Sequence, residues 1–169
     1  MMNHGMPYFY RYHTKKAKSL TNGYSNLLKY LETIGDICPH KYFFSGPRSS
    51  SLRFKLDMDV KCIEGHEISK LAKESLVNGN TRDAHTIVEL FLLQHDNNTV
   101  AVELPLWLEH DELADFQTIF NSKEPLTGHI DILRIENNNV WIWDYKPRAM
   151  NEKFAVTQTF FYALMLSKR

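Results

Sequence analysis

The sequence predicts an α/β fold, a mixed sheet with helices packed on both of its faces. Three observations lead there. Residues 127–136 and 140–146 form two apolar, β-rich runs separated by the polar triplet Asn137, Asn138, Asn139. Both faces of the hairpin they imply are largely apolar, so each must be covered. Stripes of apolar residues at helical spacing occur before and after the hairpin and supply the covering layers.

The elements follow in order. Residues 1–22 read as an N-terminal arm and 23–169 as one domain. The arm interleaves Tyr8, Phe9, Tyr10 and Tyr12 with Arg11, Lys15, Lys16 and Lys18. That composition suits stacking on bases and holding phosphates; an arm packed on the domain is the preferred reading. Residues 24–35 form a helix with Leu27, Leu28, Leu31 and Ile34 on one face, and Gly35 sits at the stop position. Residues 46–51 are a loop by composition. Residues 52–60 alternate loosely, as a short strand or as part of that loop.

A helix opens at 64–68 and runs to about Val77, with Ile68, Leu71, Ala72, Ser75 and Leu76 on one face. Asn78-Gly79-Asn80 ends it, and Thr81 caps a second helix that reaches about His95. Residues 99–108 are β-branched and alternating. Val100, Val102, Leu104 and Leu106 share one face; Ala101, Glu103 and Pro105 share the other. Pro105 places that end of the strand away from central pairing. Residues 109–125 are acidic and loop-like, a surface excursion that lies away from any polyanion site or acts as a lid. The last helix begins near Asn151 and carries Phe154, Gln158, Phe161, Tyr162 and Met165 on one face.

Composition bounds the function. The chain has 169 residues, with 20 Lys+Arg balanced by 20 Asp+Glu. One domain with a real core fits that length. Zero net charge leaves any nucleic-acid binding to a local basic patch. No run is long and apolar enough to span a bilayer, and no apolar signal core opens the chain. A cytoplasmic location with no membrane partner is therefore expected. The two cysteines, Cys38 and Cys62, make neither a disulfide framework nor a complete metal site.

The hairpin carries the chemistry. With Asn137 and Asn138 as a two-residue turn, Asp131 faces Asp144, and Lys146 follows on the same face. Two carboxylates opposite one another repel. A hard divalent cation held by oxygen ligands removes that cost.

The ordered set Gly128-His129-Ile130-Asp131, Asp144-Tyr145-Lys146 and Gln158-x-x-x-Tyr162 resembles the signature of the PD-(D/E)XK nuclease superfamily, and in particular its RecB-type branch, which includes CRISPR-adaptation nucleases. The resemblance implies a restriction-endonuclease-like core and hydrolysis of DNA with Mg²⁺ or Mn²⁺. It implies Asp131, Asp144 and the Tyr145 carbonyl as metal ligands, Lys146 as the catalytic cation, and site roles for Gln158 and Tyr162. Glu103-Leu104-Pro105 resembles a family strand whose Glu is a further ligand, directly or through water. Gly65-His66 resembles a family motif with a metal- or water-binding His, with His85 as the rival. Partners implied are DNA and a helicase, recombination or CRISPR-type protein. Cys38-Pro39 resembles the segment that opens many RecB-type domains, where one branch uses the Cys in an iron–sulfur cluster. Such a cluster needs four thiolates, so none is expected from two cysteines. A non-catalytic nucleic-acid-binding or structural subunit that keeps the fold is the alternative.

Overall fold

The computed structural model describes residues 1–5, 7–77 and 84–169. In chain order the elements are β1 (Met2–Asn3), β2 (Pro7–Tyr8), β3 (Arg11–Tyr12), α1 (Thr14–Leu20), α2 (Ser25–Ile37) and α3 (Tyr42–Ser45). They continue with α4 (Glu67–Ser75), α5 (Ala84–His95), β4 (Thr99–Leu108), α6 (Phe116–Phe120), β5 (Leu126–Glu136), β6 (Asn139–Trp143) and α7 (Ala155–Ser167). The expected helix break at 78–80 and the cap at Thr81 lie outside the described residues.

The central sheet has the order β3-β4-β5-β6 and is antiparallel throughout; an isolated parallel bridge joins Arg48 to Thr127. The β5–β6 hairpin has the predicted register: Leu133 opposes Ile142, Ile135 opposes Val140, and Glu136 opposes Asn139. Asn137 and Asn138 both take left-handed backbone conformations, with φ of 51° and 56°. A tight two-residue hairpin turn demands this, and Asn tolerates it better than other side chains.

Each face of the sheet has its own apolar cluster. On one, Leu31 and Ile34 of α2 and Phe161 and Met165 of α7 pack on Leu104, Leu106, Leu126 and Leu133. On the other, Ile68 of α4 and Val88 and Leu92 of α5 pack on Val102 and Ile132. Each such side chain stabilises the fold by about 1.5–3 kcal/mol on burial. Arg134 is fully buried on the α4–α5 side. Its Nε and Nη2 donate to Asp96 at 2.7 and 3.1 Å, and its Nη1 to Glu136 at 3.2 Å.

Several expectations are corrected. The stretch expected to be an arm contributes a strand to the sheet: β3 pairs with Ala101 and Val102 of β4. Gly35 does not end α2, which continues to Ile37 with Cys38 as its C-cap; nothing crowds Gly35, and the following Pro39 is the stronger stop. Residues 52–60 form no strand. Leu52, Phe54 and Leu56 do turn inward, but their segment docks on α7, where Thr157 Oγ1 accepts from the Leu56 N–H and donates to the Phe54 carbonyl.

Val102 does not share a cluster with Val100, Leu104 and Leu106. A β-bulge between Thr99 and Ala101, and a left-handed Glu103 with φ of 51°, break the alternation of β4. Ile130 and Ile132 are likewise split between the two clusters. The acidic excursion contains α6, whose Phe116 and Phe120 are buried, so it is anchored to the core rather than hinged as a lid. α7 starts at Ala155, after a 3₁₀ turn over Ala149–Asn151.

Candidate active site

The hairpin register brings Ile132 opposite Trp143, so the next position outward sets Asp131 across from Asp144. Here the ladder stops. The Tyr145 backbone N–H donates to Asp131 Oδ2 at 2.8 Å, where a strand carbonyl would otherwise accept. Asp144 is held on two sides. Its Oδ1 accepts from Gln158 Nε2 at 3.1 Å, and Lys146 Nζ lies 2.8 Å from its Oδ2 as an ion pair. Gln158 Nε2 also donates to Tyr162 Oη at 2.8 Å. Gln158 and Tyr162 reach one spot together because residues four apart share a helix face.

Gly128 makes this arrangement possible. A Cβ there would collide with Ser49 Oγ and with the Tyr162 ring. The strand must be bare at that position for α7 to bring Tyr162 and Gln158 down onto the carboxylates.

α5 and β4 close the other side. His85 Nε2 lies 4.0 Å from Asp131 Oδ2. One turn further along the same helix, Glu89 is 3% exposed, and its Oε1 has no hydrogen-bond partner. Glu103 stands opposite Asp131 in the β4–β5 register, between the Val102–Ile132 and Leu104–Ile130 pairs. Tyr8, Arg48, His85, Glu103, Asp131 and Lys146 line a cleft of about 190 Å³ that also reaches Gln158 and Tyr162.

The electrostatics follow from crowding acids in a dry place. Burial, then the Asp144 charge, pushes Asp131 well above the carboxylate range, against the opposing pull of Lys146 and the Tyr145 N–H. Burial pushes Glu103 up to about 7, with Arg48 opposing. Burial, then the charges of Glu103 and Asp131, pushes Glu89 up to about 9. Burial alone would lower Lys146; the Asp144 contact and the Asp131 charge outweigh it and hold the amine above the ordinary lysine value. Carboxylates therefore outnumber the cations facing them.

That imbalance and the orphaned Glu89 oxygen fit a site that takes a divalent cation through oxygen donors. The carboxylate oxygens do not close into a cage: the one set of three His, Cys or acidic ligand atoms within 4.8 Å of one another among the described residues lies elsewhere. Mg²⁺ is usually held in this open way, by one or two carboxylates, with waters and substrate phosphates completing its shell.

Asp131, Asp144, Tyr145, Lys146, Gln158, Tyr162 and Glu103 lie together at this end of the hairpin. His66 does not join them. It caps α4, where its Nδ1 accepts the Ile68 N–H at 3.2 Å, and its ring lies against Trp143. His85 takes the place beside Asp131 instead. A cap ring is already committed to its own helix, whereas His85 projects from a helix packed across the strand. Glu89 was missed. Its signal was a carboxylate between Val88 and Leu92 in an otherwise apolar stripe, four residues after His85.

Among the described residues no helix is long and apolar enough to cross a membrane. Comparison with curated proteins and with solved structures finds no significant match. The family model of the PD-(D/E)XK nuclease superfamily matches residues 60–169, which contain β4, β5, β6, α7 and the carboxylates between them. The antiparallel sheet with helices on both faces is a restriction-endonuclease-like fold, and the chain belongs to the PD-(D/E)XK nuclease superfamily.

Proposed function

We propose that the protein is a divalent-metal-dependent deoxyribonuclease of the RecB type. The observation that carries this reading is the junction at the end of the hairpin. Asp131 and Asp144 are side by side, one held by the Tyr145 N–H and the other ion-paired with Lys146 at 2.8 Å.

Asp131, Asp144 and the Tyr145 carbonyl would hold Mg²⁺ or Mn²⁺, with Glu103 as an added carboxylate, direct or through water. A bound ion of this kind polarises the scissile phosphate and lowers the pKa of a coordinated water towards neutrality. Lys146 stays protonated beside the carboxylates and supplies a compact positive charge to orient water or meet the charge that develops on phosphate. Gln158 positions Asp144, and Tyr162 positions Gln158. Arg48 and Lys146 stand at the cleft, and together with a bound divalent ion they would offset its carboxylates and draw a phosphodiester. An exposed free thiol at Cys62 and a buried one at Cys38 suit a reducing, cytoplasmic setting.

The test is cleavage of single- and double-stranded DNA with Mg²⁺, with Mn²⁺ and with chelator. Cutting that needs the ion and is lost in Asp144→Asn supports the reading. Cutting that persists in chelator, or its absence with both ions on both substrates, overturns it.

A further inference from the structure

A second cluster stands apart from the acidic site. His4, Cys38 and His40 bring one ligand atom each within 4.8 Å of the others, the one such set among the described residues. The three come from distant stretches of chain. His4 follows β1, Cys38 caps the end of α2, and His40 sits in the turn after it, where its N–H donates to the Cys38 carbonyl at 2.8 Å. His4 Nε2 is 2.8 Å from His40 Nδ1 and 3.8 Å from Cys38 Sγ.

The cluster is held rigidly from behind. The His4 ring stacks on Phe43 at 3.8 Å, and its Nδ1 lies 2.8 Å from His129 Nε2. His129 in turn stacks on Tyr8 at 3.7 Å. Arg48 donates to the His4 carbonyl and to the Tyr8 hydroxyl, which fixes the strand pair that carries both. His4 and Cys38 are buried, and His40 is exposed, so the cluster opens to solvent on one side.

We propose that His4 Nε2, His40 Nδ1 and Cys38 Sγ form a site for a borderline-soft divalent ion, Zn²⁺ in chemical type, with solvent as fourth ligand. Two imidazoles and one thiolate suit Zn²⁺ and do not suit Mg²⁺. The second ring nitrogen of His4 has the partner a ligating histidine normally has: in the tautomer that donates Nδ1–H to His129, the Nε2 lone pair is left for the ion. Ligands about 2.0–2.3 Å from a tetrahedral Zn²⁺ stand roughly 3.3–3.6 Å apart. The sulfur is already near that separation from His4. The exposed His40 ring has to move out by about half an ångström, and it is the ligand free to do so.

The proton balance is simple. Burial pushes the Cys38 thiol up to about 12, so the S–H proton leaves to solvent as the S–Zn bond forms. The His40 proton shifts from Nδ1 to Nε2, and no electrons move. The thiolate offsets one of the two charges brought near Arg48. Once formed, the site ties the start of the chain to the α2–α3 turn and, through His129, to the strand that carries Asp131.

Cobalt(II) tests this on the full chain, because only a thiolate ligand gives a near-ultraviolet sulfur-to-metal band beside the visible bands of a tetrahedral ion. The expected result is one equivalent that shows both features, displaced by Zn²⁺ and not by Mg²⁺. Asp131→Asn keeps both features, which separates this site from the acidic one. Cys38→Ser removes the sulfur band, and His40→Ala, a surface change that leaves the fold alone, weakens binding at least about tenfold. No sulfur band in the wild type would show a plain histidine relay and overturn the proposal. So would a band that survives Cys38→Ser, which would point to Cys62, or a His40→Ala variant that binds like wild type.

Discussion

Asp131 Oδ2 accepts the backbone N–H of Tyr145 at 2.8 Å, so a side chain continues the hairpin where its ladder ends. The acceptor is a half-buried carboxylate, and its desolvation and the second carboxylate it faces raise its proton affinity. An Asn at this position keeps an oxygen for the Tyr145 N–H and removes the repulsion. Metal-free Asp131→Asn should therefore be as stable as wild type or more so, by on the order of 1 kcal/mol. Mn²⁺ should raise the wild-type melting midpoint by mass action and leave that of the variant unchanged. A metal-free variant melting well below wild type sinks the paired-carboxylate account.

Lys146 touches Asp144 from outside the oxygen donor set. Lys146→Ala should abolish DNA cleavage while Mn²⁺ still binds. Calorimetry distinguishes the roles: loss of Mn²⁺ affinity in this variant would mean that Lys146 shapes the ion site rather than the reaction.

The buried ionisable groups set a pH window. Glu103 and Glu89 are raised to about 7 and about 9, so the folded state binds more protons than the unfolded one above the ordinary value of 4.5. Their contribution is complete below that value and is lost as pH rises through 7 and 9. His4 and His129 are lowered by burial to about 4 and about 2, so theirs is complete above 6.5 and lost as pH falls. The metal-free melting midpoint should peak between 4.5 and 6.5 and decline on both sides. Glu89→Gln should flatten the alkaline limb and raise the midpoint at about pH 8. Scanning calorimetry across pH decides it; a wild-type midpoint that still climbs between about pH 7 and 9 would contradict the assignment.

Gly128→Ala should destabilise the protein by about 1–3 kcal/mol, the usual cost of overpacking, because the new methyl meets Ser49 Oγ and the Tyr162 ring. The displaced Tyr162 should release Gln158, so cleavage should fall even at temperatures where the variant stays folded. Full activity in a folded Gly128→Ala would separate Tyr162 from the site.

The hairpin and its acidic end were legible because three local rules agree there. Asn137 and Asn138 accept left-handed conformations, β-rich apolar runs flank them, and the parity of a two-residue turn then sets Asp131 against Asp144. The faces of β4 were not legible: a bulge and a left-handed Glu103 break its alternation, and the residue letters do not announce them. β3 spans Arg11–Tyr12 alone, too short for any periodicity. The choice between His66 and His85 depended on how α4 and α5 dock, and a two-residue motif carries no information about that. Glu89 could have been found, since a lone carboxylate inside an apolar helical stripe needs a reason to be there.

The placement of β3 has a kinetic consequence. Arg11 pairs with Val102 across most of the chain, so this contact closes a very long loop. Its entropy must be met before the pairing contributes anything, and two residues of ladder repay little of it. The β4–β5–β6 meander, with its shorter connections, can assemble first and leave the outer edge of β4 bare. On a ribosome β3 emerges well before β4 and waits, unpaired, until β4 has been synthesised. Amide exchange should accordingly find β3 the first strand to open and β5, paired on both sides, the last.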